Sequence, residues 1–432
     1  MSKQTFYDGD DGVALIVGPK ATTARSPVHV VYGGADRYSA RTPQKLGAIA
    51  RQTMASFARD ASEFAKAIGI PITPDASQAT KIFDLTNDKL EREAVEDFRI
   101  DFEDGYGFRS DDEEDSHARS AAEQLATAFA EGTITPFCGF RIKSLGPETE
   151  RRAERTLTLF LSTLLERTAG VLPENFVVNL PKITDRDEVK HLVSMLEKIE
   201  DDARLPHGAI GVELMIETPE AIFDHKGRMA IPRIIKAARG RCRSIHFGAY
   251  DHTASLGIAA RFQGLGHPAA DLARQFMLLA AAPLGVRVSD SVTTELPTVV
   301  HRGDDLNSEQ LDENRAAVHR GWRIHFDNVS RSMASGFYQS WDLHPNQLPA
   351  RYAAVYAFFL EGFDLQTQRL RTFVERATQA SMTGNVFDDA ASARGLINYF
   401  ERGISSGAFT AERVAAAAGK DISSIRAMLV AD

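Results

Sequence analysis

Polar residues that could do chemistry stand where apolar runs break off. In "GVELMIETPEAIF" (211–223), the apolar Val212, Leu214, Met215 and Ile216 give way to Glu217, Thr218 and Pro219. In "SIHFGAYDHTASLG" (244–257), the run Ser244–Phe247 is followed by Asp251. Two carboxylates from successive strand ends, completed by water and substrate oxygens, make a ligand set that Mg2+ prefers. "FRIKSLG" (140–146) puts Arg141 and Lys143 at another such end. A guanidinium offers a two-pronged fork to a carboxylate or a developing oxyanion. A metal and a guanidinium beside one carbonyl can stabilise an enolate. Glu217 and Asp251 are therefore candidate metal ligands, and Arg141 a candidate substrate contact. Each has a plainer alternative. Glu217 could be a solvated acid capping the next helix, with Pro219 in its first turn. Asp251 could be a turn residue, and Arg141 an ion-pair partner of Glu103 or Asp104.

These residues can act together only if strand ends converge on one face. Short apolar or β-branched runs recur at Val28–Tyr32, Phe98–Phe102, Phe137–Ile142, Phe176–Leu180, Ile210–Ile216, Ser244–Phe247, Val286–Ser289 and Tyr338–Leu343. Each is bounded by Gly, Pro or polar residues. Amphipathic stretches such as Arg186–Arg204 and Ala269–Gly285 lie between them. Strand and helix alternating about eight times predict a (β/α)8 TIM barrel, with its active site where strands end and βα loops begin. On this reading residues 1–348 are the catalytic barrel, with insertions near 33–97 and 290–337. Residues 349–432, Ala-rich, are a helical C-terminal extension. The same face then also receives "DFEDGYG" (101–107), Pro181-Lys182 and "HPNQ" (344–347).

The totals exclude several classes. The 432 residues are 43% hydrophobic and 25% charged, an ordinary globular composition. A net charge of −9 argues against a nucleic-acid partner, which selects a basic face. The cysteines, Cys138 and Cys242, form no CxxC and no metal spacing, which fits a reducing compartment. The opening "MSKQTFYDGDDGVALIVG" lacks the pattern of a signal peptide. No run approaches the ~18 apolar residues of a membrane span. A cytoplasmic location, with no membrane partner, is the expectation.

The motifs, read in order, resemble one family. "RIDFEDGYGFRSDDEEDSHAR" is similar to a D-L-E-D-A stretch leading into a charged helix, and "FRIKSLG" to R-I-N-P-L-G. "NLPKITDRDEVKHL" is similar to an L-P-K-V segment, and "LMIETPEAIF" to an I-E-T-P/A motif. "IHFGAYDHTASLGI" resembles F-G-x-x-D-x-x-x-D-L-G, and "GFYQSWDLHPNQL" resembles G-F-x-G-K-x-x-I-H-P-x-Q-I. Together they resemble the HpcH/HpaI aldolase and citrate lyase β-subunit superfamily, which includes malyl-CoA and citramalyl-CoA lyases. The resemblance implies Mg2+, or Mn2+ in its place, held by Glu217 and Asp251. It implies Arg141 on the substrate carboxylate or enolate oxygen, and Glu103 and Asp104 beside the metal and its waters. Lys182 and His344 would line or support the pocket. Asp388, in "GNVFDDAASAR" (384–394), would carry a proton, often into a neighbouring subunit's site. The implied substrate is a small 2-oxo or hydroxy acid or its CoA thioester. The implied assembly is a homo-oligomer, trimer or hexamer.

The chain also departs from the pattern. Ser255 stands at the second acid of the F-G-x-x-D-x-x-x-D-L-G motif, and Lys143 at the Asn of R-I-N. Asp104 stands where the aldolase branch has a histidine. Two rival readings share the barrel. One is a phosphoenolpyruvate-handling phosphotransferase, although no P-loop or kinase signature is present. The other is a non-catalytic scaffold, against which the acid pair and the arginine speak. For Lys182, His344 and Asp388 the plain alternatives are a salt bridge, a structural histidine and a helix cap.

Overall fold

The computed structural model describes residues 25–71, 77–383 and 390–428, with the backbone of a short antiparallel pair, Thr5–Phe6 and Leu15–Ile16. Eight parallel strands close a barrel: β1 (His29–Gly34), β2 (Asp97–Asp101), β3 (Phe137–Arg141), β4 (Phe176–Leu180), β5 (Gly211–Ile216), β6 (Cys242–Phe247), β7 (Arg287–Val292) and β8 (Gln339–Asp342). β8 pairs with β1 to complete the ring, Trp341 lying beside Val30. With helices between the strands and a helical C-terminal region, this is the (β/α)8 barrel read from the sequence. No helix of the described residues is long and apolar enough to cross a membrane.

The strands form because their outward faces are apolar. In β2, Phe98 and Ile100 pack outward against helices while Asp97, Arg99 and Asp101 alternate with them. Phe140 of β3 stacks on Phe160 of the helix Glu150–Arg167 at 4.0 Å between centroids, and Phe102 meets both edge-on. Burying one such ring stabilises the fold by about 1.5–3 kcal/mol. The stretch between β1 and β2 holds three helices, Thr42–Phe57, Ala61–Ile68 and Ser77–Glu93. The stretch between β7 and β8 holds one long helix, Ser308–Ala334. β7 runs on to Val292, past the expected Ser289, because Asp290 and Ser291 continue the strand with their polar groups satisfied. After β8 the helix Leu348–Thr383 covers the barrel, followed by Ala390–Ser406, Ala411–Ala418 and Ile422–Met428.

The inward face is charged. Arg99 donates from Nε and Nη2 to the two oxygens of Glu213, both at 2.8 Å, and also pairs with Asp97. Gln339 donates to Asp97 at 3.1 Å and Ser244 to Glu213 at 3.1 Å. These side chains from β2, β5, β6 and β8 fill the space that branched apolar residues occupy in most such barrels.

A second polar knot locks the closing seam from outside. Buried Asp342 of β8 receives Arg351 Nη2 at 2.7 Å, and its oxygens lie 2.7 Å from His29 Nδ1 and 2.8 Å from His325 Nε2. His29 belongs to β1, His325 to the helix Ser308–Ala334 and Arg351 to the helix Leu348–Thr383. Burial alone would raise the Asp342 carboxyl, but Arg351 and the two histidines outweigh it and hold it well below its ordinary range. Removing one partner of a buried ion pair costs about 3–5 kcal/mol. Asp342→Asn is therefore expected to lower unfolding stability by that amount, read from the urea midpoint. A neutral result would mean that the seam does not depend on this charge.

The start of β2 is anchored by Glu93 and Glu96, which share Arg25 and Lys89. Burial raises the Glu93 carboxyl, yet hydrogen bonds from Arg25 and Lys89 bring it down from 4.5 to about 2. A depressed acid stabilises above its unfolded value and loses that contribution as pH falls. Thermal stability is thus expected to drop between pH 4.5 and about 2, with a shallower drop in Glu93→Gln. Identical pH curves would remove Glu93 from the acid response.

Candidate active site

The strand ends converge on one cluster of carboxylates and cations. β3 ends on Arg141, whose Nε and Nη2 grip Asp101 of β2 at 2.7 and 2.6 Å. Asp101 also accepts the backbone N–H groups of Glu103 at 3.0 Å and Gly105 at 2.7 Å, so it shapes the loop behind it. Gly105 is required there, since a Cβ would meet Asp101 Oδ2 at 2.5 Å. The remaining Arg141 nitrogen, Nη1, lies 3.2 Å from Glu103 and 3.8 Å from Asp104. Lys182 Nζ pairs with Glu103 and reaches Asp104 at 2.9 Å. Its backbone takes a left-handed φ of 51°, sparsely populated for a residue with a Cβ. That turn points its N–H at Glu217 Oε1, 2.6 Å away.

Glu217 is the residue the rest leaves unmatched. It is 2% exposed and is followed by Thr218, which caps the helix Pro219–Ile222 by accepting the Ala221 N–H at 3.1 Å. The helix cap is therefore Thr218, and the Glu217 side chain turns inward instead. Each of the other buried acids among the described residues has a cation within ion-pair distance. Glu213 has Arg99, Asp342 has Arg351, Glu200 has Arg241, Asp290 has Arg274, Glu114 has Lys143, and the rest are matched likewise. Glu217 has the Lys182 amide and the neighbouring Asp251 carboxyl, but no cation. Burial, and then repulsion from Asp251, push its carboxyl up to about 8. Asp251, on the short helix Ala249–Ser255, is also raised, first by burial and with Asp104 adding to it. Glu103 is raised by burial against the pull of Arg141, while Asp104, burial notwithstanding, is lowered by its hydrogen bonds with Glu103 and Lys182.

A divalent cation fits this donor set. Two neighbouring carboxylates, both pushed toward protonation by burial and by nearby acids, are what a hard cation relieves. Gly248 leaves room for Glu217: a Cβ there would lie 2.3 Å from Oε2 and 2.4 Å from the Glu217 Cβ. Among the described residues, the group of three ligand side chains within 4.8 Å of one another is Glu150, Glu154 and His191, on the outer helices. A cation held by the strand-end pair would have two protein ligands and take its other ligands from water or substrate.

The remaining sequence expectations fall at different distances from this cluster. His344 Nδ1 accepts the Asn346 N–H at 3.1 Å, so His344 caps the turn Pro345–Gln347. Lys143 pairs with Glu114 at 2.8 Å. Asp388 lies outside the described residues. The floor of the site was not read from the sequence. Tyr32 and Trp341 pack with ring centroids 4.1 Å apart and planes tilted at 39°, and the Arg141 guanidinium lies 4.9 Å and 5.4 Å from their ring centroids. Both aromatics sit on inward faces of the barrel yet stay partly exposed, so open space reaches down to them. The Tyr32 hydroxyl accepts from Asn179 Nδ2 at 3.2 Å and lies 3.3 Å from His246 Nδ1.

The fold is a (β/α)8 barrel that carries this cluster at its strand ends. The chain belongs to the family described as a domain of unknown function, DUF6986, which spans residues 16–431. No curated protein matches it by sequence. A citrate lyase from Burkholderia xenovorans LB400 superposes with a TM-score of 0.56 at 18% identity, over 91% of this chain and 96% of that one. A citrate lyase β subunit from M. tuberculosis, solved with oxaloacetate and magnesium, gives 0.40 at 18% identity over 77% and 97%. An HpcH/HpaI aldolase/citrate lyase family protein from Burkholderia cenocepacia J2315 gives 0.34 at 15% over 61% and 82%.

Gly248→Ala is expected to displace Glu217 at a cost of about 1–3 kcal/mol of stability. Calorimetric titration should show weakened Mn2+ or Mg2+ binding in the same variant. Unchanged metal affinity would show that Glu217 is not a ligand.

Proposed function

We propose that the protein is a Mg2+-dependent carbon–carbon lyase or aldolase acting on a small 2-oxo or hydroxy acid, or on its CoA thioester. The reading is carried by Glu217, a buried acid with no cation of its own, facing Asp251 at the mouth of the barrel. The motif order and the citrate-lyase-type fold support it. Glu217 and Asp251 would hold the metal, with Mn2+ able to replace Mg2+. The bound ion would supply positive charge to the oxygen of a developing enolate. Arg141 is held rigid by Asp101 and presents Nη1 toward Glu103, so its charge is fixed in place before substrate arrives. Such preorganised charge stabilises a transition state without reorganising during the reaction. Lys182 holds Glu103 and Asp104 together and aims its amide at Glu217, setting the spacing of the acids.

Proton NMR in D2O tests this reading. The methyl signals of pyruvate and of acetyl-CoA are followed separately, with Mg2+ and with EDTA. Metal-dependent loss of one signal is expected, and the donor that exchanges selects the oxo-acid or thioester branch. Glu217→Gln and Asp251→Asn should each slow exchange by about 10²–10³-fold, the scale for losing one charged stabiliser. Full exchange in EDTA, or in Glu217→Gln, would sink the mechanism.

A further inference from the structure

An enolate must be made or quenched by a proton, and one buried chain of hydrogen bonds ends in the open floor of the site. Its direction can be worked out link by link. Ser244 donates its hydroxyl proton to Glu213 Oε1 at 3.1 Å. The Ser244 oxygen must then accept from His246 Nε2, 2.6 Å away. With its proton on Nε2, a neutral His246 has Nδ1 free as an acceptor. Tyr32 lies 3.3 Å from that nitrogen, and its oxygen already accepts from Asn179 Nδ2 at 3.2 Å. The Tyr32 hydroxyl therefore donates to His246. No link in the chain conflicts with another.

The order is carboxylate, imidazole, phenol, the logic that activates a nucleophile in other enzymes. We propose that Tyr32, backed by His246 and Glu213, is the proton carrier of the enolate chemistry, a proposal that rests on the function argued above. In the bond-forming direction the donor's C–H bond breaks and its proton passes to the Tyr32 oxygen. The original Tyr32 proton moves at the same time to His246 Nδ1, and the electron pair of the C–H bond stays on the substrate as the enolate. The imidazolium so formed lies 3.4 Å from Glu213 Oε1. After the new C–C bond forms, that proton returns through Tyr32 to the alkoxide oxygen. In the cleavage direction the substrate's hydroxyl proton passes through Tyr32 to His246 Nδ1, the C–C bond breaks to leave a carbonyl product and the enolate, and Tyr32 protonates the enolate carbon while recovering a proton from His246. Both directions balance without a further reactant.

The surroundings support the assignment. Glu213, burial notwithstanding, is held well below its ordinary range by Arg99 and His246, so it keeps its charge. Burial and the Glu213 charge hold the Tyr32 hydroxyl well above its ordinary range, so it stays a donor. Asp97, Arg99 and Glu213 together carry one net negative charge beside the imidazole, and Arg287 of β7 borders the same group. Two groups at the floor are left over for a ligand or water: Asn179 Oδ1 and Trp341 Nε1 have no partner among the described residues. Tyr32 would touch the reacting carbon, while His246 and Glu213 act through it as positioning residues.

The test uses the full-length protein with Mg2+ and the exchanging donor identified above. Tyr32→Phe and His246→Gln are each expected to lower kcat for exchange by about 10²-fold, the low end for general acid–base catalysis. KM and calorimetric Mg2+ affinity should stay at wild-type values, a split that a general loss of structure would not give. Exchange undiminished in Tyr32→Phe overturns the proposal. A second reading is independent of activity. In the 15N spectrum of the wild type, His246 should carry its proton on Nε2, and its Nδ1 signal should move in Tyr32→Phe. A His246 protonated on Nδ1 overturns the relay. A wild type that exchanges no donor but shows the Nε2 tautomer overturns the enolate reading and with it the relay's catalytic role.

Discussion

The bidentate grip of Arg141 on Asp101 is the contact on which the mouth of the barrel depends. Both side chains are 1% exposed, so neither charge can be solvated if the other leaves. Asp101 uses its remaining capacity on the amides of Glu103 and Gly105, which fixes the loop after β2. The loop in turn presents Glu103 and Asp104 to Lys182, and Lys182 presents its amide to Glu217. The chain of contacts thus runs from β2 and β3 through β4 to β5. A change at Asp101 would be felt at Glu217 without touching it.

This organisation also explains why Glu217 is unusual. The barrel carries many buried charges, and burying a charge is costly unless it is paired. The protein meets that cost with arginines and lysines at Glu213, Asp342, Glu200, Asp290 and Glu114. At Glu217 it supplies no cation, only another acid, Asp251, and a backbone N–H at a left-handed lysine that is itself disfavoured. A structural acid in this position would have gained stability from a nearby guanidinium, and Arg141 is close enough in the fold to have served. It is committed to Asp101 instead. Strain and an unmatched charge at one strand end are the pattern expected where stability is given up for binding.

The sequence revealed the scaffold better than the floor. All eight barrel strands are visible as short apolar runs, because their outward faces pack on helices and read as such. The end of β7 was missed because Asp290 and Ser291 look like a loop until Arg274 and Ala249 are seen to satisfy them. The strand-end acids were visible because an acid after an apolar run breaks the pattern. The inner charges were also present at even spacing, Asp97, Arg99 and Asp101 in "DFRID", and Glu213 and Glu217 flanking the inward Met215 in "GVELMIE". Reading those runs as simply apolar hid them. The contacts of Tyr32 could not be read at all, since Asn179 and His246 lie 147 and 214 residues away.

A polar interior is an expensive way to fill a barrel, and apolar residues of similar volume are often as stable or more so. Glu213 and Ser244 are register partners on β5 and β6, Arg99 bonds to Glu213, and His246 is the next inward residue after Ser244 toward the strand ends. Apolar residues in place of Glu213 and Ser244 would leave His246 Nε2 without an acceptor, and the imidazole could then turn either nitrogen toward Tyr32. The polar pair removes that choice: Glu213 takes the Ser244 proton, Ser244 takes the His246 proton, and only Nδ1 is left for Tyr32. What the deep charges contribute is therefore direction, one tautomer and one orientation of each hydrogen bond, delivered to the partly exposed Tyr32.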